Sequence, residues 1–263
     1  MSAVRKLLMA ILVFLIVVVA GLYLGQRSLF YPAPQERLAT PPAGYQFVET
    51  KTSDGLRLRA AYRPAADGKA TLLFFHGNGD NIDGAGAATQ MLTDAGYGAM
   101  LVEYRGYGGN AGSPSEQGFY SDGEAAVKWL GAKGVGLSEV IIIGNSIGSG
   151  AATEMALRHR PKALVLVSGF ASLPYVVSDF YPFLPAQWLV QDRYDNVAKL
   201  GRIKSPILIL HGDSDTLVRP SNADVLARAA ISAKTIIVAG KGHELAYLPE
   251  GQQPILVWLD NLH

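Results

Sequence analysis

The chain has 263 residues, with 23 Lys and Arg against 22 Asp and Glu and a formal charge of +1. So balanced a chain offers no basic face, and no nucleic-acid partner is expected. It contains no cysteine, which excludes a disulfide scaffold, a thiolate metal site and a cysteine nucleophile.

Residues 5–27 read RKLLMAILVFLIVVVAGLYLGQR. Between Lys6 and Arg27 lie about 20 uncharged residues, the length needed to cross a ~30 Å hydrocarbon core. The segment has no polar face, which argues against a buried amphipathic helix. Arg5 and Lys6 favour a cytoplasmic N-terminus, leaving the rest of the chain extracytoplasmic. The alternative is a signal peptide cleaved after Val18-Val19-Ala20, giving a secreted or periplasmic protein. The apolar stretch runs on through Gly21-Leu22-Tyr23-Leu24, which favours an uncleaved single-pass anchor. Tyr31-Pro32-Ala33-Pro34 and Pro41-Pro42 suit an extended tether. The expected organisation is an anchor over 1–27, a proline-rich linker over 28–44 and a globular domain over 45–263.

Apolar runs bounded by turn residues predict strands at 46–50, 56–63, 71–75, 99–104, 140–144, 163–167, 206–210 and 235–238. From residue 71 onward these runs (TLLFF, AMLVEY, VIIIG, ALVLV, PILIL, TIIV) are almost continuously apolar, as in strands buried on both faces. Helical patterns fall between them at 83–95, 114–130, 147–160, 222–230 and 253–262. The third-strand-onward alternation predicts an α/β fold with a mostly parallel sheet covered on both faces, and an antiparallel edge from the first two runs. Ser113-Pro114-Ser115-Glu116 has the pattern of a capping box with proline at the first helical position. Residues 170–200, FASLPYVVSDFYPFLPAQWLVQDRYDNVAKL, are too long and aromatic for a plain connection. They are expected to form a small cap.

One strand-to-helix junction carries chemistry. In Gly144-Asn145-Ser146-Ile147-Gly148 the serine sits at a sharp turn, with glycines where strand and helix backbones must approach. This is the nucleophile-elbow pattern. A serine hydroxyl is a weak nucleophile and needs a base, itself oriented by an acid. Of the five histidines, His76 precedes the serine and is read as holding its own loop. His159 lies between Arg158 and Arg160 on a helix, His211 ends a strand beside Gly212, and His263 is terminal. His243, in the glycine-flanked loop GKGHE after the last strand, is the expected base. Asp213 and Asp215 both lie on the loop after the preceding strand, and spacing alone leaves them open. An oxyanion needs preorganised N–H donors. The backbone amides of Ile147 and of Asn78, in FFHGNGDN, are the candidates.

With these pieces in place the chain resembles the α/β-hydrolase superfamily, and within it the membrane-anchored α/β-hydrolase-domain group of lysophospholipases, lipid esterases and depalmitoylases. The resemblance rests on FFHGNGDNI, VEYRGYGGNAGSPSEQG, GNSIGSGAA, FASLPYVVSDFYPFLP and ILILHGDSDTLVRP with GKGHE. It implies Asp215, the second aspartate of His-Gly-x-x-Asp, as the acid. It departs from the family at Glu103, where Asp is usual, and at Gly109-Asn110, where Gly-x-Ser is common. The implied function is a serine hydrolase cleaving carboxylic esters or thioesters of acyl or lipid-like substrates through an acyl-enzyme on Ser146, with no metal and no cofactor. The cap would supply an apolar wall for the acyl chain. A peptidase of the same fold is an alternative, although no acidic cluster for a substrate amine is evident. A non-catalytic binding scaffold is another, but would have no need to keep Ser, Asp and His together.

Overall fold

The computed structural model describes residues 2–262. A helix α1 (Ala3–Phe30) precedes strands β1 (Gln46–Lys51), β2 (Arg57–Arg63) and β3 (Thr71–Phe75). Then follow α2 (Ile82–Asp94), β4 (Gly98–Val102), α3 (Glu116–Ala132), β5 (Val140–Asn145), α4 (Gly148–His159) and β6 (Ala163–Val167). Short helices α5 (Leu173–Phe180), α6 (Ala186–Leu189) and α7 (Val197–Leu200) come next. The chain closes with β7 (Ile207–Gly212), α8 (Ser221–Ala229), β8 (Ala233–Val238) and α9 (Pro249–Asp260).

The strands form one sheet in the order β1-β2-β4-β3-β5-β6-β7-β8. β1, β2 and β4 pair antiparallel, and every other pair is parallel. The antiparallel edge falls where the sequence predicts it. The period of two in the strands divides their side chains between two cores. On one face Leu73, Phe75, Ile142 and Leu166 meet α3, α4 and α8. On the other, Leu72, Phe74, Ile141 and Ile143 meet α2 and α9. Each fully buried Leu, Ile or Phe contributes about 1.5–3 kcal/mol relative to an exposed one. This is why the apolar runs are continuous rather than alternating.

The helix after β3, α2, and the helix after β5, α4, lie on opposite faces. The loops beyond β3 and β5 therefore diverge and open a crevice at the carboxyl ends of the strands, the place where such sheets bind ligands. α1 is long and apolar enough to cross a membrane, and no part of its apolar window is buried.

Two local expectations change. Ser115, not Ser113, caps α3, accepting the Gly118 amide at 3.1 Å, and Pro114 stays outside the helix. The Glu116 carboxylate is engaged elsewhere, accepting from the Tyr120 hydroxyl at 2.6 Å and the Arg193 amide at 2.6 Å, so no capping box closes. The linker is also no free tether. α1 runs on to Phe30 because nothing breaks it before Pro32, which forces Tyr31 into an extended conformation. Tyr31 is buried in the core. Beyond it the Pro34 carbonyl accepts the Gly108 amide at 2.8 Å, and the Leu38 carbonyl accepts from Arg59 at 2.7 Å.

Candidate active site

Ser146 follows the end of β5 with φ +53°, in the left-handed region that costs a side-chain-bearing residue about 1–2 kcal/mol. Its amide donates to the Val167 carbonyl at 3.0 Å, which fixes the turn against β6. The flanking glycines are steric necessities. A Cβ on Gly144 would lie 2.6 Å from Ala152 Cβ and from the Gly148 carbonyl oxygen. A Cβ on Gly148 would overlap the Phe75 carbonyl oxygen and crowd that of His76 at 2.7 Å. The tight turn thus seats α4 directly against β3 and projects the hydroxyl into the crevice.

His243 opens a short 3₁₀ turn, His243–Tyr247, after β8. Its Nε2 lies 2.8 Å from Ser146 Oγ, and its Nδ1 lies 2.8 Å from Asp215 Oδ2. A carboxylate can only accept, so Nδ1–H donates to Asp215 and Nε2 is left to accept the serine proton. Asp215 Oδ1 is held by the amides of Leu217 at 2.9 Å and Val218 at 2.8 Å. Burial pushes this carboxyl up, but His211, His243 and the Val218 amide outweigh it and hold it well below the usual carboxylate range. Asp213 is exposed and turned away. It accepts the Gly240 amide at 2.7 Å and the Ser214 hydroxyl at 2.8 Å, tying its own loop to the one that carries His243. The geometry therefore separates the two aspartates that spacing leaves open.

Of the oxyanion candidates, Asn78 lines the same cleft and Ile147 directly follows Ser146. Among the described residues, neither the Ile147 nor the Asn78 amide donates to a protein group. The Asn78 side chain is occupied, donating to the Phe30 carbonyl and accepting from the Tyr107 hydroxyl at 2.7 Å. The cleft measures about 220 Å³ and is lined by residues 77–80 and by Asn145, Ser146, Leu217, His243 and Tyr247.

His76 lies behind this loop, fully buried. Its Nδ1 is 2.8 Å from the Gly77 carbonyl oxygen and its Nε2 is 2.9 Å from Glu103 Oε1. Burial alone would lower its pKa, but the Glu103 carboxylate outweighs that and raises it. Both ring nitrogens thus donate. Glu103 Oε2 also accepts the Ile82 amide at 3.1 Å. Glu103, a departure from the family pattern, clamps both ends of the loop that carries Asn78. The other departure, Asn110, bridges the Arg59 backbone to the carbonyls of Glu103 and Tyr104.

Sequence reasoning missed three further residues. His211, near the end of β7, is buried, donates from Nε2 to the Val218 carbonyl at 2.8 Å and sits 3.4 Å from Asp215 Oδ2. Tyr247 donates to Asp80 Oδ2 at 2.8 Å and accepts from Asn145 Nδ2 at 3.3 Å, closing one side of the cleft. Leu217 supplies an exposed apolar lip. His211 and Leu217 were adjacent to the motif; Tyr247 had no signal, because only the 3₁₀ turn brings it back. His159, the last residue of α4, pairs with Glu124 of α3 at 2.8 Å, away from the cleft, and His263 lies outside the described residues.

The cap expectation needs correction at this cleft. All cleft residues come from the loops after β3, β5, β7 and β8, and none from 170–200. The cap's apolar side instead faces α1, with which it forms a groove of about 410 Å³. The end of α1 captures it: Arg27 pairs with Asp192 at 2.9 Å, and the Tyr31 hydroxyl meets Asp192 and Tyr194 at 3.1 and 2.9 Å. Among the described residues no group of three or more His, Asp or Glu side chains is placed to hold a metal ion.

Comparison with known proteins agrees with this architecture. The family model described as serine aminopeptidase, S33, of the Hydrolase_4 group, matches residues 66–195. Human α/β-hydrolase domain-containing protein 17B is 32% identical over 231 residues, spanning 84% of this chain and 75% of the relative. The zebrafish protein named lysophosphatidylserine lipase ABHD12 is 28% identical over 245 residues, spanning 84% of this chain and 62% of its own length. The solved structure of a bacterial membrane phospholipase A superposes with a TM-score of 0.65 at 20% identity, covering 98% of this chain and 99% of that one. The mostly parallel sheet with helices on both faces is the α/β-hydrolase fold. The chain belongs to the α/β-hydrolase family.

Proposed function

We propose that the protein is a serine hydrolase of carboxylic esters or thioesters, with Ser146 as nucleophile, His243 as base and Asp215 as the acid that orients it. The observation that carries this reading is the unbroken relay from Ser146 Oγ through both nitrogens of His243 to Asp215 Oδ2, each link 2.8 Å. Ser146 Oγ attacks the acyl carbonyl while its proton passes to His243 Nε2. The resulting imidazolium is stabilised by the buried Asp215 carboxylate, which keeps its charge. Negative charge on the carbonyl oxygen is met by the amides of Ile147 and Asn78. Collapse expels the alcohol or thiol, which takes the proton from His243, and leaves an acyl-serine. Water then repeats the sequence with His243 again as base, releasing the acid. General acid–base help of this kind is worth roughly 10²–10⁴-fold.

An acyl lipid is the favoured substrate class, because α1 would hold the cleft beside a membrane and a relative is named a lysophosphatidylserine lipase. In this reading residues 1–27 form a single-pass anchor with the active site extracytoplasmic, 28–44 strap the anchor to the domain, 45–263 carry the catalytic residues, and 170–200 form the cap. Docking of residues 26–31 onto the cap supports an anchor retained in the mature protein.

Fluorophosphonate labelling tests the nucleophile. Wild type is expected to label and Ser146→Ala to remain unlabelled with an unchanged melting curve; labelling of the Ala variant at the wild-type rate overturns the assignment. A panel of acyl esters of rising chain length, with aminoacyl amides alongside, separates the esterase from the peptidase reading suggested by the family model. An aminopeptidase needs a carboxylate for a substrate amine; Asp80, on the cleft rim, accepts from Asn81 N and Tyr247, so amide turnover lost in Asp80→Asn would favour that reading.

A further inference from the structure

We propose that the cap is itself a membrane-embedded element: Tyr181, Phe183, Leu184 and Trp188 sit among the lipids of the same bilayer that α1 crosses. The inference rests on the anchored reading above and goes beyond it.

The argument starts from depth. The charge-free stretch of α1 runs from Leu7 to Gln26, and about 20 residues at 1.5 Å each span the ~30 Å of a hydrocarbon core. With Lys6 at one edge, Gln26 and Arg27 mark the other. The cap does not wait above that edge. Its residues Val177, Tyr181, Leu184 and Leu189 share a groove with Val19, Leu22 and Tyr23 of α1, and Leu189 lines the upper end of a second groove that continues down α1 past Val19. Val19 lies seven residues before Gln26, roughly 10 Å inside the core at that rise. Moving the edge outward to spare the cap would leave about 13 residues between Lys6 and Val19, some 20 Å, too short to cross.

The polarity of the cap agrees. Residues 173–189 read LPYVVSDFYPFLPAQWL, with Asp179 the only formal charge. Phe183 is 79% and Trp188 85% exposed, beside exposed Phe180 and Tyr181. Bare in water, this would be a costly patch; at a bilayer interface it is the usual aromatic belt. The polar boundary then appears twice, in two distant stretches of sequence, at one level. Gln26 and Arg27 end the apolar part of α1, and Gln191, Asp192 and Arg193 end that of the cap. The structure joins the two boundaries directly. Gln26 donates to the Leu189 carbonyl at 3.1 Å and accepts the Gln191 amide at 2.8 Å, while Arg27 pairs with Asp192. Two chain segments that turn polar at the same height, laced together there, fit one membrane surface. The occupant of the groove and of the exposed aromatic face is therefore lipid acyl chain.

The test uses the full-length protein in phosphatidylcholine vesicles, with and without bromine on the acyl chains. Bromine quenches tryptophan only on contact. Of the three tryptophans, Trp188 is the exposed one beside α1. Wild type is expected to lose the Trp188 share of its emission in brominated vesicles, and Trp188→Phe to show no such loss. Phe183→Cys carrying a nitroxide is an independent readout, clean because the chain has no other thiol. Its label should collide more with oxygen than with a water-soluble nickel chelate. Flotation is measured on the same samples. Protein that floats with vesicles while Trp188 is unquenched and position 183 meets nickel overturns the embedded cap and leaves the anchor standing. Trp188 unquenched with position 183 shielded from both probes also overturns it, in favour of a covering protein such as a second copy. Failure to float overturns the anchor, and the embedded cap with it.

Discussion

Asp213 and Asp215 stand two residues apart on one loop, yet their environments assign them different work. Asp215 is buried, bonded by two amides and facing His243; Asp213 is exposed and staples two loops. Asp215→Asn should therefore lower kcat by up to about 10⁴, because an amide oriented by the Leu217 and Val218 N–H groups turns its NH₂ toward His243 and selects the wrong tautomer. Asp213→Asn should leave kcat within a few-fold and act on stability. Steady-state kinetics on one soluble ester compares them, and a larger kcat loss at Asp213 would reverse the roles. The same groups set a pH response. The folded Asp215 carboxyl lies below its ordinary value of 3.8, so its contribution to stability is complete well above that pH and is lost as pH falls toward the folded value. His76 lies above its ordinary 6.5, so its contribution is complete below that pH and fades as pH rises through the folded value. Thermal melts from pH 2 to 10 should show both limbs. Glu103→Gln should flatten the alkaline one, since it removes the carboxylate that holds the His76 proton.

The elbow between β5 and α4 depends on backbone contact more than on any side chain. Gly148→Ala puts a methyl against the carbonyls of Phe75 and His76, neither of which can move without shifting β3 and the Asn78 loop. A destabilisation of about 1–3 kcal/mol from overpacking is expected. A kcat loss larger than that of an equally destabilising variant elsewhere should accompany it, because the proposed oxyanion donors, the amides of Ile147 and Asn78, flank that contact. Urea unfolding and kinetics on the same preparation check this, and wild-type kcat in a destabilised Gly148→Ala would show that the loop is not part of the catalytic machinery. The elbow, its two glycines and the helix that follows were legible because local sterics leave so few residue types for such a turn. The cap's orientation was not. Its prolines and aromatics show that it is irregular and apolar, but whether it leans over the cleft or onto α1 is decided by Asp192, Gln191 and Tyr194 meeting residues more than 160 positions earlier.

For the whole protein the proposed anchor sets the expected behaviour in a cell. Full-length protein should stay with membranes through alkaline carbonate extraction, and protease added from the extracytoplasmic side should reach the globular domain. Intact mass distinguishes the anchor from a cleaved leader: a mature chain starting at Gly21 would mean export in soluble form, and digestion from the cytoplasmic side alone would mean inverted orientation. The salt link between Arg27 and Asp192, with Tyr31 beside it, ties α1 to the domain, so Asp192→Ala should raise protease sensitivity between residues 27 and 45 while leaving fluorophosphonate labelling intact.

The parallel sheet, its antiparallel edge, the elbow serine and the histidine that lies 2.8 Å from it were readable from the chain alone, because each depends on local pattern: period, apolar continuity, glycine at a crowded turn, a histidine after the last strand. The rest required distant segments to meet. Asp215 rather than Asp213, the His76–Glu103 pair behind the Asn78 loop, Tyr247 against Asp80, and the cap on α1 instead of over the cleft all turn on where one buried side chain finds its partner. That is settled by packing and by the cost of leaving a buried polar group unpaired, and neither quantity has a period or a spacing along the sequence.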